Sequence, residues 1–230
     1  MINVQNYLFD LNLFKKYTEL YINQSINSMQ YQEFVTFFPD VPHGTFLKIQ
    51  EYLQILLEWN QKTNLISKNE IPNIWERHII NCAQLCGFIK KDQKIVDVGS
   101  GNGLPGIILA IITDNNVVLV ENQKRRIEFL QYIIDKLHLD KVSIIYKDVR
   151  KLNMQTDILV ARAFKNLDDL FAYCQKIIVS NTMLLLKGSK IDQEISYSKN
   201  NWTFNYSKHV SKFSDNSYIL EISEIAKILS

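Results

Sequence analysis

Short apolar runs alternate with amphipathic stretches through the middle of this chain. The runs hold mostly Val, Ile and Leu, which is typical of buried strands, and they cover residues 94–99, 117–121, 142–146, 157–161 and 182–187. Apolar residues at helical spacing separate them and predict helices over residues 105–113, 124–138 and 167–178. This alternation predicts a mostly parallel sheet that is covered by helices on both faces.

Two further strand-like runs follow, at residues 202–206 and 217–222. The connection between them is too short for a crossover helix, so they should pair antiparallel at the edge of the sheet. The expected fold is therefore α/β: a doubly wound, mostly parallel seven-stranded sheet with an antiparallel edge ribbon. By fold analogy this is the Rossmann-like arrangement of class I methyltransferases, whereas dinucleotide dehydrogenases usually keep a parallel edge.

The chain before the sheet has a helical character. Apolar positions from Leu8 to Tyr17 have helical spacing, residues 44–60 carry a clear apolar stripe, and residues 74–87 predict another helix. We therefore expect a helical N-terminal extension over residues 1–88, with residues 1–40 its variable part. The domain with the sheet should cover residues 89–230.

Composition adds constraints on partners and chemistry. The chain has 230 residues with a net charge of +2, which is too small to indicate nucleic-acid binding by itself. Its three cysteines lack metal-ligand spacing, its four histidines are scattered, and no apolar run is long enough for a membrane span. We expect a cytoplasmic protein without a metal or a membrane partner, with a monomer as the default state.

The segment Asp97-Val-Gly-Ser-Gly-Asn-Gly-Leu-Pro-Gly106 follows the first strand and leads into a helix. Its glycines let a ligand approach the backbone closely, although the GxGxxG pattern alone is weak evidence. Asp97 can orient the loop and meet an ammonium group, but it would repel a pyrophosphate. With Gly99 and Gly101 in the loop, these residues favour S-adenosylmethionine over a dinucleotide as the cofactor.

Two acids that follow neighbouring strands complete the expected cofactor site. Glu121 ends the second strand and should accept hydrogen bonds from the ribose hydroxyls, a feature that dinucleotide enzymes share. Asp148, just after the third strand, stands where methyltransferases often hold the adenine amine. A turn acid on a solvated loop is a nearly equal alternative for Asp148.

Basic residues are concentrated between Lys124 and Lys151, a segment that contains eight basic residues and only four acidic ones. Part of this excess is explained by a solvated helix face. Arg125 and Arg126 begin a helix, where cations oppose the helix dipole, so they are better candidates for phosphate contacts. Arg162 and Lys187 follow strands at the carboxyl edge of the sheet, where ligands bind, and Lys187 is a further candidate for RNA binding.

Several motifs together resemble the glucose-inhibited division protein B family, the bacterial 16S rRNA guanine-N7 methyltransferases. They cover about residues 45–225. The matching motifs are Leu56-Leu-Glu-Trp-Asn, Arg77-His78-Ile79, Asp97-Val-Gly-x-Gly-x-Gly-Leu-Pro-Gly-Ile107, Lys124-Arg-Arg, Arg162-Ala-Phe164 and Leu186-Lys-Gly188.

The resemblance implies methyl transfer from S-adenosylmethionine to a guanine N7 in the small ribosomal subunit. Gly99, Leu104, the Val149–Arg150 pair and Arg162 match the family's cofactor contacts. There are departures, because the family usually has an arginine at 148 and an acid at 150, where this chain has Asp148 and Arg150. Asn81 also stands where the family has aspartate.

We name no catalytic acid or base, because guanine N7 carries a lone pair and no proton. The catalytic requirement is therefore the alignment of base and methyl group. Two alternatives stay open. One is a methyltransferase that acts on a protein or a small molecule, and the other is a dinucleotide-binding oxidoreductase or nucleotide sensor.

Overall fold

A computed structural model describes residues 20–211 and 216–228 of the chain. The chain divides into two compact units between Trp75 and Glu76. The division into an extension of residues 1–88 and a domain of residues 89–230 stays a prediction. The helical spacing from Leu8 to Tyr17 lies outside the described residues.

The described part of the first unit is helical. Residues 20–26 form a helix, followed by α1 (Tyr31–Phe37), α2 (His43–Thr63) and a 3-10 helix (Lys68–Asn73). The helix predicted over residues 44–60 is thus confirmed, and it continues for one more turn before Asn64 ends it in the left-handed conformation. Trp75 is fully buried in this unit, where its ring stacks on Phe46 and its indole N–H donates to the Ile26 carbonyl.

The second unit contains one seven-stranded sheet in the order β3-β2-β1-β4-β5-β7-β6. The strands are β1 (Ile95–Val98), β2 (Val117–Glu121), β3 (Val142–Tyr146), β4 (Met154–Arg162), β5 (Ile177–Lys187), β6 (Trp202–Val210) and β7 (Tyr218–Lys227). The first five strands pair in parallel, and β7 pairs antiparallel with both β5 and β6. The predicted sheet and its antiparallel edge ribbon are confirmed.

The helices of this unit are α3 (Gly106–Thr113), α4 (Lys124–Lys136), α5 (Leu167–Tyr173) and α6 (Ile191–Ser198). The strand order starts at β1, runs outward through β2 to β3, and then continues on the other side of β1 with β4. Right-handed crossovers therefore place helices on both faces of the sheet. The carboxyl ends of β1 and β4 diverge at this reversal, which is where open α/β sheets bind ligands.

Two predicted helices differ from the structure. Residues 74–87 do not form one regular helix, since a wide helical turn (Trp75–Ile80) is followed by the single turn Asn81–Ala83 and the 3-10 helix Gln84–Phe88. Ile178 was expected on the helix that begins at Leu167, but it lies in β5 and is 57% exposed. Helix α5 already ends at Tyr173, and residues 177–179 pair with β4, so strand pairing overrides the helical spacing there.

Candidate functional site

The glycine loop between β1 and α3 lies at the point where the strand order reverses. Gly99 has a φ of +70°, a left-handed conformation that L side chains rarely adopt. A Cβ atom at this position would overlap the ring of Phe164. Phe164 belongs to the loop that follows β4, so a side chain at position 99 would disturb both loops. The glycine at 99 is needed for the turn and for this close approach.

Asp97 lies in β1 and anchors the end of the glycine loop to the sheet. Its side chain is fully buried, and Oδ2 accepts a hydrogen bond of 2.9 Å from the Gly106 backbone amide at the start of α3. Oδ1 is buried and has no hydrogen-bond partner in the part of the chain that the structure describes. Burial raises the pKa of Asp97 to about 7, although the Gly106 amide opposes the shift. A cationic group at Oδ1 would complete this site, whereas a phosphate would be repelled.

This arrangement predicts a pH-dependent effect of Asp97→Asn on stability. Since the pKa of Asp97 is raised on folding, the folded protein loses stability as the pH rises from about 4 to about 7. The asparagine of the variant cannot ionise, so the melting temperature of the variant should exceed that of the wild type increasingly across this window, by about 5 °C at its upper end. Thermal melts at a series of pH values measure the difference.

The matched control for that series is Asp157→Asn. Hydrogen bonds from the Lys94 amide and from the Ser180 hydroxyl lower the pKa of Asp157, so its charged form stabilises the fold at neutral pH. Its substitution should therefore reduce the melting temperature above the carboxyl pKa, which is the opposite sign. A pH-independent effect of Asp97→Asn would contradict the account of the buried carboxyl.

Glu121 lies at the end of β2 beside the glycine loop, and its side chain is 3% exposed. Oε2 accepts from the Gly101 amide at 2.9 Å and from the Arg126 guanidinium at 3.3 Å. Oε1 accepts from the amides of Asn122 and Gln123 at 2.7 and 3.0 Å. The structure thus brings the acid that was expected to bind ribose into direct contact with the loop.

A cavity of about 330 Å³ opens between the loops that follow β1, β2, β3 and β4. The predicted site residues that line it are Gly99, Glu121, Arg126, Asp148, Val149 and Arg150. Its size falls within the range of small-molecule sites. Asp97, Gly101, Leu104 and Arg162 are not among its lining residues, although Gly101 is bonded to Glu121 and Leu104 is buried in the same loop.

Asp148 and Arg150 form an ion pair on the wall of this cavity. The Arg150 guanidinium Nε donates to both Asp148 oxygens, at 3.0 and 3.1 Å, and the Arg150 amide donates to Oδ1. These hydrogen bonds lower the pKa of Asp148 to about 2. The Arg150 guanidinium also lies 5.2 Å from the centre of the Tyr173 ring. Contact between Asp148 and an adenine amine stays a prediction, since its carboxylate already binds Arg150.

Arg162 ends β4 and reaches a buried cluster next to the glycine loop. Its Nη2 lies 2.8 Å from Nδ1 of His78, and its Nη1 lies 4.0 Å from Sγ of Cys82. Burial lowers the pKa of His78 to about 3, with further contributions from Arg162 and Arg77. Neutral His78 can therefore accept the Arg162 hydrogen bond through Nδ1. Sequence reasoning missed this role, although His78 belongs to the Arg77-His78-Ile79 motif.

The candidate RNA-binding residues have different environments. Arg125 is exposed, and Arg126 is 42% exposed with its guanidinium on Glu121. The Lys187 side chain is only 10% exposed, and its ammonium donates to Glu194 at 2.8 Å and to the Lys165 carbonyl at 3.0 Å. In the structure the Lys187 ammonium already has these partners within the protein. Contact between Lys187 and RNA stays a prediction.

Lys187 stabilises the loop that carries Phe164. Both Ala163 and Lys165 have positive φ, at 50° and 43°, which is unfavourable for residues with a Cβ. The Glu194 carboxylate of α6 accepts a hydrogen bond from the Lys187 ammonium. It also accepts one from the amide of Leu167, directly after this loop. Through the Lys165 carbonyl and the Leu167 amide, the ion pair therefore holds the C-terminal part of the loop in place.

We expect Lys187→Met to weaken this loop. The variant should lose about 2 kcal/mol of unfolding free energy, because a hydrogen-bonded ion pair that is mostly shielded from water is broken. Its affinity for S-adenosylhomocysteine should also fall, because Phe164 lines the cavity. Lys208→Met is the matched control, since Lys208 pairs with Asp192 of the same helix and that carboxylate is 71% exposed. Its effect on urea unfolding should be much smaller than that of Lys187→Met, because this ion pair is exposed to water. Equal effects of the two substitutions would contradict the role of Lys187.

Neither a metal-ion site nor a membrane-spanning helix is found among the described residues. Among residues 20–211 and 216–228, no group of three or more His, Cys, Asp or Glu side chains is placed to hold a metal ion. No helix in the same part of the chain is long and apolar enough to cross a membrane.

The doubly wound sheet, its antiparallel edge and the glycine loop at the strand reversal define the class I methyltransferase fold. The family described as rRNA small subunit methyltransferase G matches residues 46–218. The chain belongs to this family.

Relatives of known name agree with this assignment. The ribosomal RNA small subunit methyltransferase G of Rickettsia prowazekii (strain Madrid E) is 38% identical over 183 residues, which are 79% of this chain and 95% of the relative. The protein of the same name from Rickettsia bellii (strain OSU 85-389) is 38% identical over 191 residues, 83% of this chain and 99% of the relative. Among solved structures, the fibrillarin/Nop5p complex matches with a TM-score of 0.50 at 11% identity, covering 64% of this chain and 81% of the other. At that identity the match supports the fold alone.

Proposed function

We propose that this chain transfers a methyl group from S-adenosylmethionine to N7 of a guanine in 16S rRNA of the small ribosomal subunit. The rRNA substrate rests on the names of its relatives. The observation that supports the cofactor is Asp97, whose buried carboxyl has one oxygen bound to the loop and one without a partner among the described residues. A carboxyl in this state suits the ammonium of a methionine group and does not suit a pyrophosphate.

Different residues of the site would bind different parts of the cofactor. Asp97 would hold the ammonium, Glu121 the ribose hydroxyls and Asp148 the adenine amine, with the Val149–Arg150 pair as a further contact of the cofactor. Gly99 and Gly101 would let the cofactor approach the backbone, and Leu104 and Arg162 would lie beside it. When bound, S-adenosylmethionine supplies an electrophilic methyl group on a sulfonium. The residues proposed to contact RNA are Arg125, Arg126 and Lys187.

The protein's task in this reaction is alignment. Guanine N7 has an in-plane lone pair and no proton, so the attack needs no general base, and we assign none. What the chain must do is hold the base in line with the methyl group and exclude water. Phe164, which packs against Gly99 and lines the cavity, would contribute to both. We further propose that the enzyme acts in the cytoplasm as a monomer.

Two measurements test this proposal. Calorimetry with S-adenosylhomocysteine and with NAD tests the cofactor, and tight binding of NAD alone would overturn the methyltransferase assignment. Transfer of labelled methyl groups to small subunits, with the RNA and protein fractions then separated, tests the substrate. We expect the label in 16S rRNA. Label in the protein fraction, or transfer only to small metabolites, would contradict the rRNA assignment.

A further inference from the structure

The carboxylate of Glu121 is fully occupied by donors of the protein. It accepts from the amides of Gly101, Asn122 and Gln123 and from the Arg126 guanidinium. A carboxylate offers about four acceptor positions, so all of them are in use. A ribose hydroxyl that donates to Glu121 must therefore replace one of these four donors.

Arg126 is the donor that can leave. The other three donors are backbone amides, one in the glycine loop and two between β2 and α4, and they cannot move without unfolding these segments. Arg126 makes the longest of the four contacts, at 3.3 Å, and its side chain is 42% exposed. Ion pairs with an exposed partner are weak, so its displacement costs little.

A displaced Arg126 would enter a basic surface. The first turn of α4 holds Lys124, Arg125 and Arg126 and no acid, and the exposed Lys147 lines the same cavity as Arg126. A free guanidinium among like charges needs an anion, and its planar fork suits a phosphate group. A phosphate of an RNA backbone would satisfy this requirement.

We propose that Arg126 couples the two substrates: Glu121 holds it in the free enzyme, and ribose hydroxyls of the cofactor release it to an RNA phosphate. This inference rests on the proposed function. It implies that the cofactor tightens RNA binding and, because coupling is reciprocal, that RNA tightens cofactor binding by the same factor.

The test compares the wild type with Arg126→Gln and Arg125→Gln. Each protein is titrated with naked 16S rRNA over a series of KCl concentrations, with and without saturating S-adenosylhomocysteine. In the wild type, we expect S-adenosylhomocysteine to tighten RNA binding about 5-fold. It should also steepen the slope of log K against log salt by about 0.7 to 0.9, since one more phosphate is contacted. Arg126→Gln should lose both effects. Arg125→Gln should bind RNA more weakly in both conditions and keep the coupling.

Calorimetry supplies a readout that does not depend on RNA. Arg126→Gln should bind S-adenosylhomocysteine as tightly as the wild type or up to about 5-fold more tightly, because no ion pair has to be displaced. Weaker binding by this variant would instead make Arg126 a direct cofactor ligand and would overturn the inference.

The outcomes also separate this inference from the function on which it rests. If S-adenosylhomocysteine binds the wild type but leaves its RNA affinity and salt slope unchanged, the coupling is refuted and the methyltransferase assignment stands. If S-adenosylhomocysteine does not bind at all, the proposed function itself fails. Loss of the coupling in Arg125→Gln, with its retention in Arg126→Gln, would also refute the role of Arg126.

Discussion

Gly99→Ala is expected to lower the affinity for S-adenosylhomocysteine about 100-fold. The added Cβ would overlap the Phe164 ring, and the backbone at position 99 has a φ of +70°. To relieve the overlap, either the Phe164 ring, which lines the cavity, must move, or the backbone at position 99 must leave the left-handed conformation. Either response alters the proposed cofactor site. Calorimetry and methyl transfer to small subunits measure the loss.

Two further variants separate the overlap from a general loss of stability. Phe164→Leu in the Gly99→Ala background removes ring atoms from the overlap, so the double variant should recover part of the affinity. Gly87→Ala is the control, because a Cβ at Gly87 meets no atom within 4 Å and its backbone φ is not positive. Wild-type affinity in Gly99→Ala would contradict the account of the loop.

Arg162→Met is expected to reduce kcat/KM for methyl transfer about 100-fold. Arg162 is a positive charge close to Asp97, and it opposes the rise of the Asp97 pKa. Without it the pKa of Asp97 should rise further, so less of the carboxylate would be charged to hold the cofactor ammonium. Arg162→Lys keeps the charge but loses the planar fork that reaches His78 and Cys82, so an intermediate loss is expected.

His78 reports on Arg162 independently of activity. Burial is the main reason that its pKa is about 3, and Arg162 lowers it further by charge repulsion. The pKa of His78 should therefore rise in Arg162→Met and stay below its ordinary value, which an NMR titration of the ring can follow. Lys176→Met, in the exposed segment before the amino end of β5, should leave both the pKa and the activity unchanged. An unchanged His78 pKa in Arg162→Met would contradict the contact.

The central strands could be predicted because they are buried on both faces. Every residue of β1 and β2 is buried, and apart from Asp97 in β1 each strand is apolar up to the glycine or acid at its end. The loop after β1 and Glu121 after β2 could therefore be placed at the same edge of the sheet. Helix α6 was not predicted, because Ile191 and Ile195 are its only buried apolar residues and two positions do not define a stripe.

The partners of Arg162 and Lys187 could not be predicted from the sequence pattern. His78 and Arg162 are 84 residues apart, and His78 lies on an irregular helical segment whose path no spacing pattern defines. Lys187 was expected to face RNA because it ends a strand at the ligand edge. In the structure its ammonium pairs with Glu194, which lies on the helix that the pattern did not reveal, and its contact with RNA stays a prediction. A position at the carboxyl edge of the sheet predicts that a side chain lies near the ligand site, but tertiary contacts decide which group it binds.

The most direct test of the proposed activity is to map the methylated base. Small subunits, whole ribosomes and naked 16S rRNA are incubated with the protein and S-adenosylmethionine, then treated with borohydride and aniline, which cleave RNA at N7-methylguanine. We expect cleavage of 16S rRNA at one guanine, absent without the cofactor and strongly reduced with Gly99→Ala. Methyl transfer without cleavage in any of the three substrates would contradict the assignment to guanine N7.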